Sequence, residues 1–175
     1  MNKNNDLNLI EAELRHIPKI VELVNLSYRS KELRGWTSEA EVVSGNRIYA
    51  EQLQDLFVAD SKILLMFDAA ELVACVHVQK QQDHAYIGML TTHPQRQNQG
   101  LGKQVLQLAE DFAQANFAVT GFEMSVLSCR TELIEFYLRR GYVLTGETED
   151  YPIDANVGQP LVEDIRVLHL VKLVH

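Results

Sequence analysis

The stretch 92–106 constrains the chain most, because a strand, a turn and a helix meet within it around two glycines. Residues 85–92 read as a strand. Leu101, Val105, Leu108, Phe112 and Ala115 then alternate steps of four and three, one apolar stripe of a helix that begins near Gly100. Between the two, His93 and Pro94 make a turn, and Gly100 and Gly102 keep side chains away from the backbone donors of the linker. A helix start carries unpaired N–H groups and the positive end of the helix dipole, so an anion, and a phosphate above all, is favoured there.

Two common phosphate motifs fail on this stretch. A P-loop needs a glycine five positions before the glycine of Gly-Lys-Ser/Thr, with four residues between. Here Gly102 and Lys103 are followed by Gln104, and Gln97 stands at the first glycine position. A dinucleotide fingerprint starting at Gly100 meets Val105 where its third glycine belongs, and no acidic strand end follows about 20 residues on. A third pattern, Gln/Arg-x-x-Gly-x-Gly/Ala, is matched in full by Gln97, Asn98, Gln99, Gly100, Leu101 and Gly102. Taken alone, the motif leaves two readings open: a pyrophosphate cradle, or an ordinary strand–turn–helix junction whose glycines ease the turn.

The other elements follow from periodicity and turn chemistry. Residues 7–14 read as a strand, and Pro18 sits in the first turn of a helix marked by Ile17, Val21, Val24 and Tyr28. Thr37 or Ser38 caps a short helix through Val43, with Glu41 completing a capping box, and residues 49–57 are again helical. Residues 62–67 and 72–79 are strands that precede 85–92. After the motif helix come a strand at 121–127, a helix at 131–140 stopped by Gly141, and strands at 142–147 and 164–174. The order is β, α, α, β, β, β, α, β, α, β, β.

With 175 residues and no dividing linker, the chain is expected to form one domain, 1–175, around a single core. A hydrophobic share of 46% with 23% charged residues describes a folded rather than a disordered chain. The net charge of −8, with no stripe of Lys or Arg, argues against a nucleic-acid partner and mildly favours a cationic amine as ligand. The N-terminus is polar and no stretch approaches the roughly 20 apolar residues of a membrane span, so a cytoplasmic protein is expected. Cys75, Cys129 and six scattered histidines lack metal-ligand spacing, and no metal is expected.

One strand and one helix beyond the glycine motif lies a second, Phe136-Tyr137-Leu138-Arg139-Arg140-Gly141-Tyr142. Together with the hexapeptide and the element order, it resembles the GNAT acetyltransferase superfamily. The resemblance implies the GNAT acyl-CoA N-acyltransferase fold, α/β (mixed α+β), with a central, mixed, mostly antiparallel sheet flanked by helices. It implies an N-acetyltransferase that moves an acetyl group from acetyl-CoA to a primary amine of a small molecule or peptide by direct attack on the thioester. The alternative is a catalytically silent acyl-CoA-binding sensor or interaction module with the same fold. Homodimers are common in the family.

The family's functional positions carry over as follows. Its strand before the motif splays from its neighbour and pairs with the pantetheine arm, which here means Leu90, Thr91 and Thr92. Gln97, Asn98, Gln99, Gly100, Leu101, Gly102 and Lys103 form the pyrophosphate cradle. Tyr137 is the implied general acid, because a phenol with pKa near ~10 stays protonated beside a thiol near ~8.5. Otherwise it positions the sulfur, or is a core aromatic beside Leu133 and Phe136. Glu123 is the candidate base, against a plain solvent-facing residue and deprotonation through ordered water. Arg130 replaces the asparagine many relatives carry seven residues before the tyrosine. It can reach cofactor or substrate, or pair with a carboxylate such as Glu132 or Glu135. Cys129 is either an acyl carrier or a small buried thiol. Acceptor choice falls to the loops 28–44 and 150–163, which contain Trp36, Asp150, Asp154 and Glu163.

Overall fold

The computed structural model describes residues 7, 9–29, 38–96 and 100–175. Strand β1 (Leu9–Glu11) leads into helix α1 (Ile17–Arg29), followed by β2 (Val43–Ser44) and α2 (Ala50–Gln54). The strands β3 (Ser61–Asp68), β4 (Glu71–Gln81) and β5 (His84–Thr92) form an antiparallel run. Helix α3 (Leu101–Phe117), β6 (Gly121–Leu127), α4 (Thr131–Leu138), β7 (Val143–Asp150), β8 (Gln159–Pro160) and β9 (Arg166–Leu173) complete the chain. Seven strands make one sheet in the order β1-β3-β4-β5-β6-β9-β7, with β5 and β6 parallel and the other neighbours antiparallel. This is the mixed, mostly antiparallel sheet with flanking helices that the resemblance implies. Among the described residues no helix is long and apolar enough to cross a membrane.

The sheet is covered on both faces, which explains why β3 reads as a continuous apolar run rather than an alternating one. Ile63 and Leu65 face α1 and α2, where Ile20, Leu23, Val24 and Leu53 are buried. Leu64 and Met66 face the other way, into a core shared with Leu101, Val105, Leu106 and Ala109 of α3 and Leu133 of α4.

Several expected elements shift. In α3 the buried residues are Leu101, Gly102, Val105, Leu106, Ala109, Glu110 and Ala113, whereas Leu108 and Phe112 are half-buried and Ala115 is exposed. The small residues Gly102, Ala109 and Ala113 let the helix sit close to the sheet. The bulky pair closes its flank instead, with the Phe112 ring edge-on to Phe117 at 5.9 Å. The helix expected through Val43 is absent. Val43 and Ser44 form β2, paired with Pro160 and Gln159 of β8, so a distant pairing overrides the local capping signal. The expected cap at Thr37 lies outside the described residues. The first strand is also shorter than expected, because the Glu13 N–H donates to His16 Nδ1 at 2.9 Å and turns the chain into α1.

Candidate active site

β5 and β6 lie side by side for three residue pairs, His84 with Gly121, Ala85 with Phe122 and Tyr86 with Glu123, and then part. From Ile87 onward β5 has β4 on one edge and no strand on the other. A bulge begins the divergence. His77 of β4 stands opposite Gly88, but Cys75 stands opposite Thr91, so β5 carries an extra residue. Such an insertion bends and twists the strand that holds it. It leaves Met89 at φ +52°, and the Thr91 hydroxyl donates to the Met89 carbonyl at 2.9 Å. Helix α1 then supplies what a neighbouring strand would have supplied. The Tyr28 hydroxyl donates to the Leu90 carbonyl and the Ser27 hydroxyl to the Thr92 carbonyl, both at 2.9 Å. With these carbonyls satisfied, the gap between the strands can stay open.

A cavity lies on each side of this gap. The first, of about 440 Å³, is lined by Thr92, by Gly100, Leu101, Gly102 and Lys103 at the start of α3, and by Arg139 and Arg140 at the end of α4. Gly100 caps α3 at φ +72° and a Cβ there would touch nothing, so the position requires glycine for its backbone angle and not for space. Lys103 is exposed. Arg140 lies flat over the Phe136 ring, 3.6 Å from its centroid, and donates to the Phe136 carbonyl at 2.8 Å. Arg96, also on the wall, is held by Asp68 at 2.8 Å and Glu71 at 2.7 Å. A helix N-terminus flanked by Lys103, Arg139 and Arg140 fits a pyrophosphate. Gln97, Asn98 and Gln99 lie outside the described residues.

The second cavity, of about 300 Å³, is lined by Leu90 of β5, by Met124 and Ser125 of β6, and by Tyr28 and Tyr137. Leu133 and Tyr137, one helical turn apart, are the buried residues of α4. Tyr137 is 6% exposed, and its ring is edge-on to Phe136 at 5.3 Å and Tyr142 at 5.9 Å. Burial, and then the neighbouring Tyr28, raise its phenol pKa well above the ordinary tyrosine value. Burial also pushes the Tyr28 phenol up to about 12. The end of β5 thus runs from one cavity to the other, with Leu90 on the Tyr137 side and Thr92 on the Gly100 side. Between them Thr91 faces into the sheet, where it also touches Cys75. That thiol is pushed up to about 12 by burial, against the pull of the Thr91 hydroxyl.

Glu123 is not brought to this gap. It sits at the closed end of the β5–β6 contact, with an oxygen 2.7 Å from His84 Nδ1. Two residues further along the same face of β6, Ser125 lines the cavity, and its Oγ is 3.2 Å from His169 Nδ1. The other nitrogen of His169 is 3.2 Å from a carboxylate oxygen of Glu149 at the rim. Neither His169 nor Glu149 was indicated by any spacing in the sequence.

Two expectations change. Arg130 does pair with a carboxylate, though with neither Glu132 nor Glu135. It reaches Glu39 at 3.4 Å, and Glu39 also holds Arg29 at 2.9 Å. Cys129 is exposed rather than buried and does not line the second cavity. Trp36 lies outside the described residues.

Residues 20–142 match the family model described as Acetyltransferase (GNAT) family. A search of curated protein sequences found no match. Several solved structures share the fold. The ribosomal-protein-S18-alanine N-acetyltransferase from Escherichia coli superposes with a TM-score of 0.72 at 13% identity, covering 95% of this chain and 93% of its own. A GNAT family acetyltransferase from Elizabethkingia anophelis with acetyl-CoA bound gives 0.70 at 17% identity, covering 98% and 100%. Mutant forms of the spermidine/spermine N-acetyltransferase SpeG from Vibrio cholerae give 0.65 at 16% identity, covering 95% and 94%.

Proposed function

The chain belongs to the GNAT acetyltransferase family, and on that premise we propose that it transfers the acetyl group of acetyl-CoA to a primary amine of a small molecule or peptide. The observation that carries this reading is the parting of β5 from β6 between two cavities, one headed by a helix N-terminus with Lys103, Arg139 and Arg140 on its wall beside Glu132 and Glu135, the other containing a buried tyrosine. Acetyl-CoA supplies the activated thioester. The backbone N–H groups of Gly100 to Lys103, with Lys103 and Arg139 beside them, hold its pyrophosphate. The free edge of β5 from Thr92 to Leu90 takes the pantetheine arm, and its backbone donors stabilise charge building on the thioester oxygen.

The chain's own residues then move two protons. The amine must be neutral to attack, and Ser125 on the cavity wall takes its proton and hands it to His169. Glu149, whose side chain is 68% exposed, returns the proton to solvent. The new C–N bond forms as the C–S bond breaks, and the Tyr137 hydroxyl protonates the departing thiolate. Its place on the wall of the cavity beside Leu90 supports that role, and burial keeps the phenol protonated. The base is therefore assigned to the Ser125–His169–Glu149 chain and not to Glu123. Spermidine and the alanine named in the two neighbouring enzymes both present amines, which supports the acceptor class.

The test is thiol release from acetyl-CoA across polyamines, amino acids, aminoglycosides and short peptides, with the expectation that it depends on one acceptor class. If acetyl-CoA raises the melting temperature while no amine releases thiol, the chain binds acyl-CoA without transferring it, and the proposal fails.

A further inference from the structure

On the acceptor side of the gap stands a cation with which no carboxylate among the described residues pairs. Charged residues on its wall are Arg29, Arg47, Glu39, Glu149 and Asp150. Glu39 is shared by Arg29 and Arg130, all three side chains being 10% exposed or less. Arg29 also donates to the Val157 carbonyl. Asp150 pairs with Arg166, and Glu149 with His169. Arg47 is different. It is half-buried, its backbone N–H is fixed by Asn25 Oδ1 at 2.8 Å, and its guanidinium lies over the Tyr28 ring, 5.7 Å from the centroid. Among the described residues no carboxylate pairs with it. Arginine cannot shed its charge, and a partly desolvated cation without a counterion is costly.

Tyr28 sets the scale of what fills this space. Its hydroxyl donates to the Leu90 carbonyl at the thioester end of β5, while Arg47 lies over its ring. Arg47 and the Leu90 carbonyl are thus both contacts of one tyrosine side chain. The cavity wall also has apolar residues, among them Met89, Met124 and Leu133. The wall also holds Glu149, which is paired with His169.

We infer that the acceptor is an amino acid, an amine carrying its own carboxylate, with that carboxylate on Arg47 and the amine directed toward Ser125. The inference rests on the acetyl-transfer reading and narrows its acceptor class. A polyamine has no group for Arg47, and it would bring further positive charge against an unpaired guanidinium.

The experiment compares kcat/KM for leucine, phenylalanine and glutamine with their carboxamides and decarboxylated amines, and with spermidine. The free acids are expected to exceed the matched amides by about tenfold or more, the range for losing a hydrogen bond to a charged group. In Arg47→Ala the ratio of acid to amide falls toward one, mainly through KM for the acid, and Arg47→Lys recovers part of it. The wild-type comparison needs no variant to fold. Amides or decarboxylated amines used as well as the acids, or spermidine used best, would overturn the inference and leave acetyl transfer standing. Absence of thiol release with every amine would remove the transfer reading and this inference together.

Discussion

Burial keeps the Tyr137 phenol protonated but also holds its proton more tightly, so its fitness as the acid rests on where it stands in the cavity. The surrounding rings of Phe136 and Tyr142 raise the cost of ionising the phenol, so its proton is present at every pH where the fold is stable. Tyr137→Phe keeps those ring contacts and removes only the proton. We expect kcat to fall by about 10²-fold or more with acetyl-CoA affinity retained, measured by steady-state kinetics beside titration calorimetry. Because the folded pKa lies above the ordinary value of about 10, the acid form persists upward from there. A descending limb of kcat centred near the ordinary tyrosine value would assign the proton to another group. Tyr137 was legible because it sits in a spaced motif. The proposed base was not, because positions 125, 149 and 169 share no spacing and meet only through strand register, Ser125 lying opposite His169. Glu123 and Ser125 share a face of β6, but the strands part between them, and the sequence has no mark of where. His169→Gln is expected to lower kcat about 10²-fold, whereas Glu123→Gln leaves it unchanged. The reverse outcome in the same assay would return the base to Glu123.

Among the elements, β5 decides whether a site exists at all. Its position and length were readable from residues 85–92, but its bulge was not, since nothing in Gly-Met-Leu-Thr marks Met89 for a left-handed backbone. A methionine held there is strained by about 1–2 kcal/mol, and the Thr91 hydroxyl stabilises the arrangement by capturing the Met89 carbonyl. Thr91→Val keeps the shape and deletes the donor. We expect a loss of about 1–3 kcal/mol, the cost of a buried polar group left unpaired, read from urea denaturation. We also expect a higher KM for acetyl-CoA as β5 relaxes toward regular pairing. Loss of stability with unchanged KM would separate the bulge from the opening of the gap. The same limit explains α3. Its helical period was plain, but its buried face was set one residue off, because sheet contact selects small residues such as Ala109 and Ala113, which hydrophobic periodicity undervalues.

On the scale of the whole molecule, opening the sheet creates a mechanical problem. The strands β1, β3, β4 and β5 on one side meet β6, β9 and β7 on the other through only three parallel residue pairs. Helix α3 bridges them. It packs on the β4–β5 side, and its Glu110, 4% exposed, reaches across to Lys172 of β9 at 2.9 Å and to the Tyr142 hydroxyl at 2.8 Å. Gly141 has φ +93°, an angle that favours glycine, and the lysine stem runs at ordinary contact distance from where a Cβ would stand. In the sequence Glu110 looks like an ordinary polar helix residue, and only the fold reveals it as a buried anion with one countercharge. Lys172→Met should cost about 3 kcal/mol or more, because it leaves that carboxylate buried without its cation. Removing both charges in Glu110→Met with Lys172→Met should restore most of the loss, since a buried ion pair contributes little beyond what apolar packing gives. If the double variant is as unstable as the single one, the stability lies in packing around Gly141 and not in the charge. If instead stability returns but acetyl-CoA affinity does not, the bridge serves to hold the two half-sheets at the spacing the cofactor needs.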